Sequence, residues 1–461
     1  MNLSAFKLHT SISEKLEMIL QEIDTAIHIE TTGKNPPSLL KEFLPIPLRH
    51  LPILATQITQ EDFLLKLETL KTNQALQTII TKIKQEENDA LTELLDFLLE
   101  ISIQHLASDI HLEHKNTTAT MRIRVDGIIR EIFHFDEEIF LLLSSKIKLE
   151  AHLDIHEKRK AQDGRFCKKF SLIQFDFRIS TLPTQSGESI VIRILNQNTK
   201  LLNLTELGFD STIQSALQSP SGLIFVTGPT GSGKSTTLYA MLEEIKSIEK
   251  KIITIEDPIE YDLDLLTQVA INEEYGFGFS QSLKAILRQD PDIIMVGEIR
   301  DTQTLSLAIR SSLTGHLVLS TLHTNDAISS IERLIDMGAK PYLIASVLKL
   351  IISQRLVRKL CPHCKIIDSN PPSIPNANHQ HFFAPKGCQK CHNTGYSGRI
   401  MIVENLHITP QLTQLIAQRS SKEKIQEYLT HHHFKTLLED GINKAAQGLT
   451  SLEEVFRVAG K

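Results

Sequence analysis

The alternation of apolar and polar positions divides the chain into three stretches. In residues 1–85 the signal is weak. Leu16 to Ile27 carries the three- and four-residue spacing of an amphipathic helix, and Asp62 to Leu70 suggests a second, short one. Between them, Pro36, Pro37, Pro45, Pro47 and Pro52 cut the chain into turns and extended pieces. Thr81 to Asp89 is polar and reads as a linker. This first stretch is expected to be a small N-terminal docking domain.

Residues 86–203 read as an α+β domain. Leu91, Leu94, Leu95, Leu98 and Leu99 form a helical stripe that runs into Ile101 to Leu106. Ser108 to Glu113 and Met121 to Gly127 alternate polar with apolar, as strands do, and Asp126-Gly127 signals a hairpin returning through Ile128 to Phe133. Leu141 to Leu149 is helical again. Gln162 to Arg165, Phe175 to Arg178 and Ser189 to Leu195 lie on further strands. The polar run from Asn196 to Asn203 is expected to be a hinge.

From residue 204 to 461, strands and helices alternate. Four short apolar runs stand out: Leu223–Thr227, Lys251–Ile255, Asp292–Val296 and Leu317–Thr321. Polar, chemically capable residues follow each run closely. In an open parallel sheet the ligand binds beyond the carboxyl ends of the strands, so all four deliver chemistry to one edge. The run from about Thr409 onward reads as helices. His431-His432-His433 is expected inside one of them, and Asn370 to Pro375 is expected to be a loop.

Composition narrows the function. The chain has 461 residues, too many for one core, with 41% hydrophobic and 23% charged residues. A net charge of −6 argues against a nucleic-acid binder held by a general basic field. No apolar run reaches the ~18 residues of a spanning helix, and the first residues lack the pattern of a signal peptide. Membrane association is therefore expected to be peripheral and carried by partners. Four of the five cysteines occur as two pairs, and Cys167 stands alone. Without an export signal, that arrangement favours metal over disulfides.

The strongest chemical signal follows the first strand of the third stretch. Gly228-Pro229-Thr230-Gly231-Ser232-Gly233-Lys234-Ser235 is the G-x-x-x-x-G-K-[ST] phosphate loop, with a strand before it and a helix from Thr236 after it. Its backbone amides cradle phosphates, Lys234 reaches the β- and γ-phosphates, and the Ser235 hydroxyl takes a site on Mg²⁺. Asp292 to Glu298 is a Walker B strand in which Gly297 stands where many nucleotide hydrolases place an Asp. Glu298 then becomes the residue that orients and deprotonates water. Glu256, Asp257 and Glu260 follow another strand and are suited to the outer shell of Mg²⁺. His316 and His323 bracket the fourth strand as candidate γ-phosphate sensors. Arg165 and Arg178 are candidate cations on the second domain, with Arg288 and Arg300 as weaker ones that could serve a neighbouring subunit. Cys361-x-x-Cys364 and Cys388-x-x-Cys391 fit a closed, structural Zn²⁺ site, with Gly387, Gly395 and Gly398 supplying the tight turns.

Several stretches in this order and density carry a family likeness. They are Ala107-Ser-Asp-Ile-His-Leu-Glu113, Arg124-Val-Asp-Gly127, Gln162-Asp-Gly-Arg165, the phosphate loop, the acid box Glu256 to Glu260, and Leu287 to Asp292 with Gly297-Glu-Ile-Arg-Asp301. Leu313-Thr-Gly-His316, Ser320-Thr-Leu-His-Thr-Asn325 and the four cysteines complete the set. From about Leu91 onward the chain resembles the secretion ATPase superfamily of type II secretion, type IV pilus assembly and DNA uptake machines. The resemblance implies an α/β fold: a RecA-like P-loop domain preceded by an α+β, PAS-like domain and a small N-terminal domain, with a zinc-binding insert at 361–396. It implies a homo-hexamer at the cytoplasmic face of the inner membrane, ATP between the second and third domains, and Arg165 and Arg178 facing the γ-phosphate. An inner-membrane platform protein and a cytoplasmic adaptor are the implied partners, and no direct nucleic-acid contact is expected. The four cysteines point to the exporting and pilus-extending branch rather than to pilus retraction. A nucleotide-binding adaptor without turnover is the alternative from another class. A DNA translocase is disfavoured by the acidic balance.

Overall fold

The computed structural model describes residues 7–23, 26–115, 117–196, 203–209, 211–372 and 381–460. Most of the expected hinge (197–202) and the end of the loop expected at 370–375 lie outside the described residues. By contact the chain forms two compact units, residues 1–198 with 361–365 and 385–396, and residues 199–360 with 366–384 and 397–461.

In the first unit, α1 (Thr10–Leu16) leads into a small sheet in the order β1-β2-β3, from β1 (Met18–Ile23), β2 (Ile27–Thr31) and β3 (Ile53–Gln57). Residues 16–27 are therefore largely the first arm of a hairpin, not the helix their spacing suggests. The register of β1 shifts between Leu20 and Glu22, so its buried residues do not alternate evenly and resemble a helical stripe. The helix expected at 62–70 is part of a much longer one, α2 (Gln60–Lys84), which also takes up the start of the expected linker. Phe63 and Leu67 pack with Ile19 beside the small sheet, and Leu76, Ile79 and Ile80 join the core of the α+β part.

That part comprises α3 (Ala90–Gln104), β4 (Ala107–Lys115), β5 (Thr118–Val125), β6 (Ile128–Asp136), α4 (Glu137–Glu150), β7 (Gln162–Phe170), β8 (Ile173–Thr184) and β9 (Gly187–Asn196). The strands form an antiparallel sheet in the order β6-β5-β4-β9-β8-β7. Ile110, Leu112, Met121, Ile123, Phe177 and Ile192 turn one face of the sheet toward Leu94, Leu98 and Phe140 of the helices. The period-2 alternation then leaves polar residues on the opposite face.

The second unit contains α5 (Thr212–Leu217), β10 (Gly222–Thr227), α6 (Lys234–Ile245), β11 (Ile252–Glu256), β12 (Leu266–Ala270), α7 (Phe279–Ile286), β13 (Ile293–Val296), α8 (Thr302–Leu313) and β14 (Leu317–Leu322). It continues with α9 (Ala327–Asp336), α10 (Pro341–Val347), β15 (Leu348–Leu360), β16 (Ile366–Ile367), β17 (Phe383–Ala384) and β18 (Tyr396–His407). Helices α11 (Pro410–Ala417), α12 (Lys422–His431), α13 (Leu437–Ala446) and α14 (Leu452–Ala459) close the unit. The main sheet runs β12-β11-β13-β14-β10-β15-β18, and its first six strands pair in parallel. Leu223 and Phe225 point into one apolar layer and Ile224 and Val226 into the other, so β10 is buried on both faces. The α/β, RecA-like organisation read from the sequence is present. Of His431 to His433, expected inside a helix, only His431 belongs to one, as the last residue of α12; His432 caps the helix and His433 turns to φ +52°.

Candidate active site

Close packing shapes the loop between β10 and α6. Gly228 has φ +144°, and a Cβ there would lie 2.4 Å from the Gln354 carbonyl oxygen. Gly233 has φ +88° and caps α6, which starts at Lys234. L-residues with side chains rarely adopt such angles. Pro229, Thr230, Gly231 and Ser235 are exposed, Thr236 is half-buried and Ser232 is buried. The Ser232 and Thr227 hydroxyl oxygens are buried without a hydrogen-bond partner. The ammonium of Lys234 donates to the carbonyls of Gly228 (2.9 Å) and Pro229 (3.0 Å). An ammonium has three donors, so one remains for a phosphate oxygen. Burial holds the Lys234 pKa below the usual lysine value, against the pull of Glu298.

Sequence reasoning missed Gln354. It lies fully buried in β15, where its side-chain amide donates to the Ser232 carbonyl (2.8 Å) and accepts from the Thr237 hydroxyl (2.8 Å). One side chain thus ties the crest of the loop to the first turn of α6. The available signal is an amide that closely follows the apolar run Leu350-Ile-Ile352.

The neighbouring strand ends set the acid. Gly297 donates its N–H to the Ile255 carbonyl (2.8 Å), and a Cβ at 297 would come within 3.1 Å of that same oxygen. Any side chain at 297 would press on this carbonyl, and the acid stands one position later, at Glu298. Ser320 and Thr321 of β14 donate to the carbonyls of Val296 and Gly297 (2.7 Å each), stapling the two strand ends together. Glu298 then meets Arg300 at 2.5 Å and the His323 Nε2 at 3.5 Å. Burial and the charge of Lys234 hold the His323 pKa below the usual histidine value, although Glu298 pulls the other way. Lys234, Glu298 and His323 therefore form one electrostatic group beside the loop.

The other expected residues are placed differently. Glu256 is buried, and its carboxylate accepts from Tyr239, from Thr254 (2.5 Å) and from Gln268 (3.0 Å). Burial, reinforced by the bond to Glu256, pushes the Tyr239 hydroxyl far above the usual tyrosine pKa, and this hydroxyl also accepts the N–H of Glu260. Asp257 and Glu260 are exposed. His316 is not placed to sense a phosphate at the loop. Gly222 pairs with Leu317 at the start of both strands, so His316 lies at the edge opposite the loop, bonded to the Ser311 carbonyl (2.9 Å). Arg288 also precedes its strand and bonds the Lys284 carbonyl (3.0 Å).

Arg165 and Arg178 belong to the first unit and pair directly across β7 and β8. The register continues through Arg193 to Asp109 and Arg124 on the polar face of the sheet. Asp109 accepts from Arg193 (3.1 Å) and faces Arg124 at 3.7 Å. Arg165, Arg178 and Arg193 line a depression of about 560 Å³.

The four paired cysteines converge, their sulfurs all within 4.8 Å of one another. Observed separations of 3.7–3.9 Å fit the edges of a tetrahedron about Zn²⁺, about 3.8 Å for Zn–S bonds of 2.3 Å. Burial raises the Cys361 and Cys364 thiols, whereas N–H donors from Cys388 and Gly395 outweigh burial at Cys391 and lower its thiol. The turn at Gln389–Cys391 packs on α2, and the His392 ring stacks on His105 at 4.4 Å.

The chain as a whole is similar to known proteins. A family model described as Type II/IV secretion system protein matches residues 84–457. The type II secretion system ATPase E of Vibrio cholerae is 41% identical over 412 residues, covering 86% of this chain and 80% of that protein. The type II secretion system protein E of Pectobacterium carotovorum is 38% identical over 480 residues, covering 97% and 95%. Among solved structures, the pilus retraction motor PilT with bound ADP aligns at a TM-score of 0.55 and 27% identity, covering 79% of this chain and 96% of that one. With the family match spanning the phosphate loop, Glu298 and all four cysteines, the chain belongs to the type II/IV secretion system protein family.

Proposed function

We propose that this secretion-family ATPase is a ring-forming motor that uses ATP hydrolysis to assemble a type II secretion pseudopilus or a type IV pilus. In this reading it works as a homo-hexamer on the cytoplasmic face of the inner membrane, where a platform protein and an adaptor recruit it. No described helix is long and apolar enough to cross a membrane. The amides of Gly228 to Lys234 hold the phosphates, Lys234 neutralises them, and Ser235 takes the Mg²⁺. Glu298 accepts the proton of the attacking water, and His323 holds its orientation. Arg165 and Arg178 stabilise charge on the γ-phosphoryl group, and its loss releases them. Glu256 is assigned a supporting role, through Tyr239, in the position of α6.

One observation carries this reading: Glu298 is held between Arg300 and His323 and is coupled to the phosphate-loop lysine. The test is Glu298→Gln. ATP binding should persist while turnover falls about 10²–10⁴-fold, the usual worth of a general base. Near-wild-type phosphate release would remove Glu298 from the role. A retraction motor is the second reading, favoured by the likeness to PilT. The Cys361, Cys364, Cys388 and Cys391 cluster argues for the assembly branch, and a metal-free purified protein would count against it.

A further inference from the structure

Glu404 lies in β18 and is 5% exposed. No part of the nucleotide chemistry needs a carboxylate there, and an isolated buried charge is costly. Its two oxygens are nevertheless committed. One accepts the N–H of Ala327 at 2.6 Å and the other the N–H of Leu437 at 3.2 Å. These residues open α9 and α13. The first N–H groups of a helix lack partners within it, and the helix dipole favours an anion at that end. Asp326 and Thr436 cap deeper N–H groups, those of Ser329 and Glu439. Glu404 therefore joins the two helices at their starts.

Four residues, His323 to Asp326, connect β14 to α9. Arg355 donates to the Asn325 carbonyl at 3.3 Å, and Glu404 holds the very next peptide through the Ala327 N–H. The segment is thus fixed at its far end, while His323 at its near end faces Glu298. On the other side, Glu404 reaches α13, which packs on α14.

We propose that Glu404 is a positioning residue that sets His323 against Glu298 and couples this catalytic edge to the C-terminal helices α13 and α14. The proposal rests on the hydrolytic reading of Glu298 and His323. Glu404 never touches the phosphate loop, so its loss should act on kcat and spare ATP binding.

The experiment is a double-mutant cycle on the full-length ATPase, with Glu404→Ala and His323→Ala alone and together. Glu404→Ala should lower kcat about tenfold through misplacement of His323, with KM for ATP changed less than about twofold. In the His323→Ala background it should lower kcat less than about twofold. Additive losses, or a raised KM with kcat intact, would overturn the proposal and leave the hydrolytic reading standing. An unchanged kcat in His323→Ala alone would overturn the role of His323, and the proposal with it. If Glu404→Ala fails to fold, Glu404→Gln takes its place in the cycle, because the amide keeps one acceptor for Ala327 and leaves the Leu437 N–H facing a donor.

Discussion

The guanidinium of Arg300 lies 2.5 Å from the carboxylate of Glu298. Arg300 is 72% exposed, and an exposed ion pair is worth no more than about 1 kcal/mol, or about fivefold in rate. Arg300→Ala should therefore lower turnover only a few-fold, and less at high salt. Glu298→Gln should lower it by orders of magnitude at any salt. Steady-state phosphate release across an ionic-strength series checks both. A loss in Arg300→Ala as deep as that in Glu298→Gln would make Arg300 a participant in the chemistry.

Gln354 predicts the opposite kinetic signature. Its two hydrogen bonds shape the phosphate loop but touch neither Glu298 nor His323. Gln354→Ala leaves the Ser232 carbonyl and the Thr237 hydroxyl without this partner, at about 1–3 kcal/mol. KM for ATP should rise by up to about 5- to 150-fold, the equivalent of that energy in a binding constant, with kcat changed much less. Titration with a fluorescent ATP analogue provides the independent measure of binding. A fall in kcat at constant KM would contradict this account.

The arginine row of the first unit separates by position. Asp109 engages Arg193, whereas Arg165 and Arg178 continue the same row beyond it. Arg165→Ala and Arg178→Ala should each cost about 10³ or more in kcat, as expected for cations that meet transition-state charge. Arg193→Ala should cost far less. Equal losses at all three positions would extend the functional row to Arg193.

Legibility from sequence follows the clarity of local pattern. The parallel strands are readable because apolar runs such as Leu223 to Val226 are buried on both faces, and turn residues end them. Their order alone places Lys234, Glu298 and His323 at one edge. His316 misleads because it brackets the same strand as His323, yet it precedes that strand and so lies at its amino end, as the register of Gly222 with Leu317 bears out. The length of α2 is hidden because the polar run Lys71-Thr-Asn-Gln74 interrupts its apolar stripe between Leu70 and Leu76. Glu404 and Gln354 belong to no motif, since their importance lies in partners distant in sequence.

The cysteine cluster makes a metal prediction. One Zn²⁺ per chain is expected, held by Cys361, Cys364, Cys388 and Cys391. Cys364→Ser should remove it. Because the turn at Gln389–Cys391 packs on α2 and His392 stacks on His105, hydrogen exchange should quicken in 385–396 and around His105. The phosphate loop should keep its protection. Full zinc occupancy in Cys364→Ser would exclude a four-thiolate site.

Glu454 supplies the last prediction, in acid. Its side chain is fully buried and bonds Arg358 through the backbone N–H (3.0 Å) and the guanidinium (2.9 Å), and Arg457 at 2.5 and 2.8 Å. Burial alone would raise its pKa, but these donors outweigh it and bring it from 4.5 to about 2. The folded state thus binds the proton less readily than the unfolded chain. Stability from this carboxylate is present above pH 4.5 and is lost as pH falls toward 2. Its worth is about 3–4 kcal/mol, by the scale of about 1.4 kcal/mol per pKa unit. Glu454→Gln should lower the melting temperature at pH 7, and the gap from wild type should shrink on acidification below about pH 4. A gap that stays constant down to about pH 3 would mean that the carboxylate charge is not what holds α14 to β15.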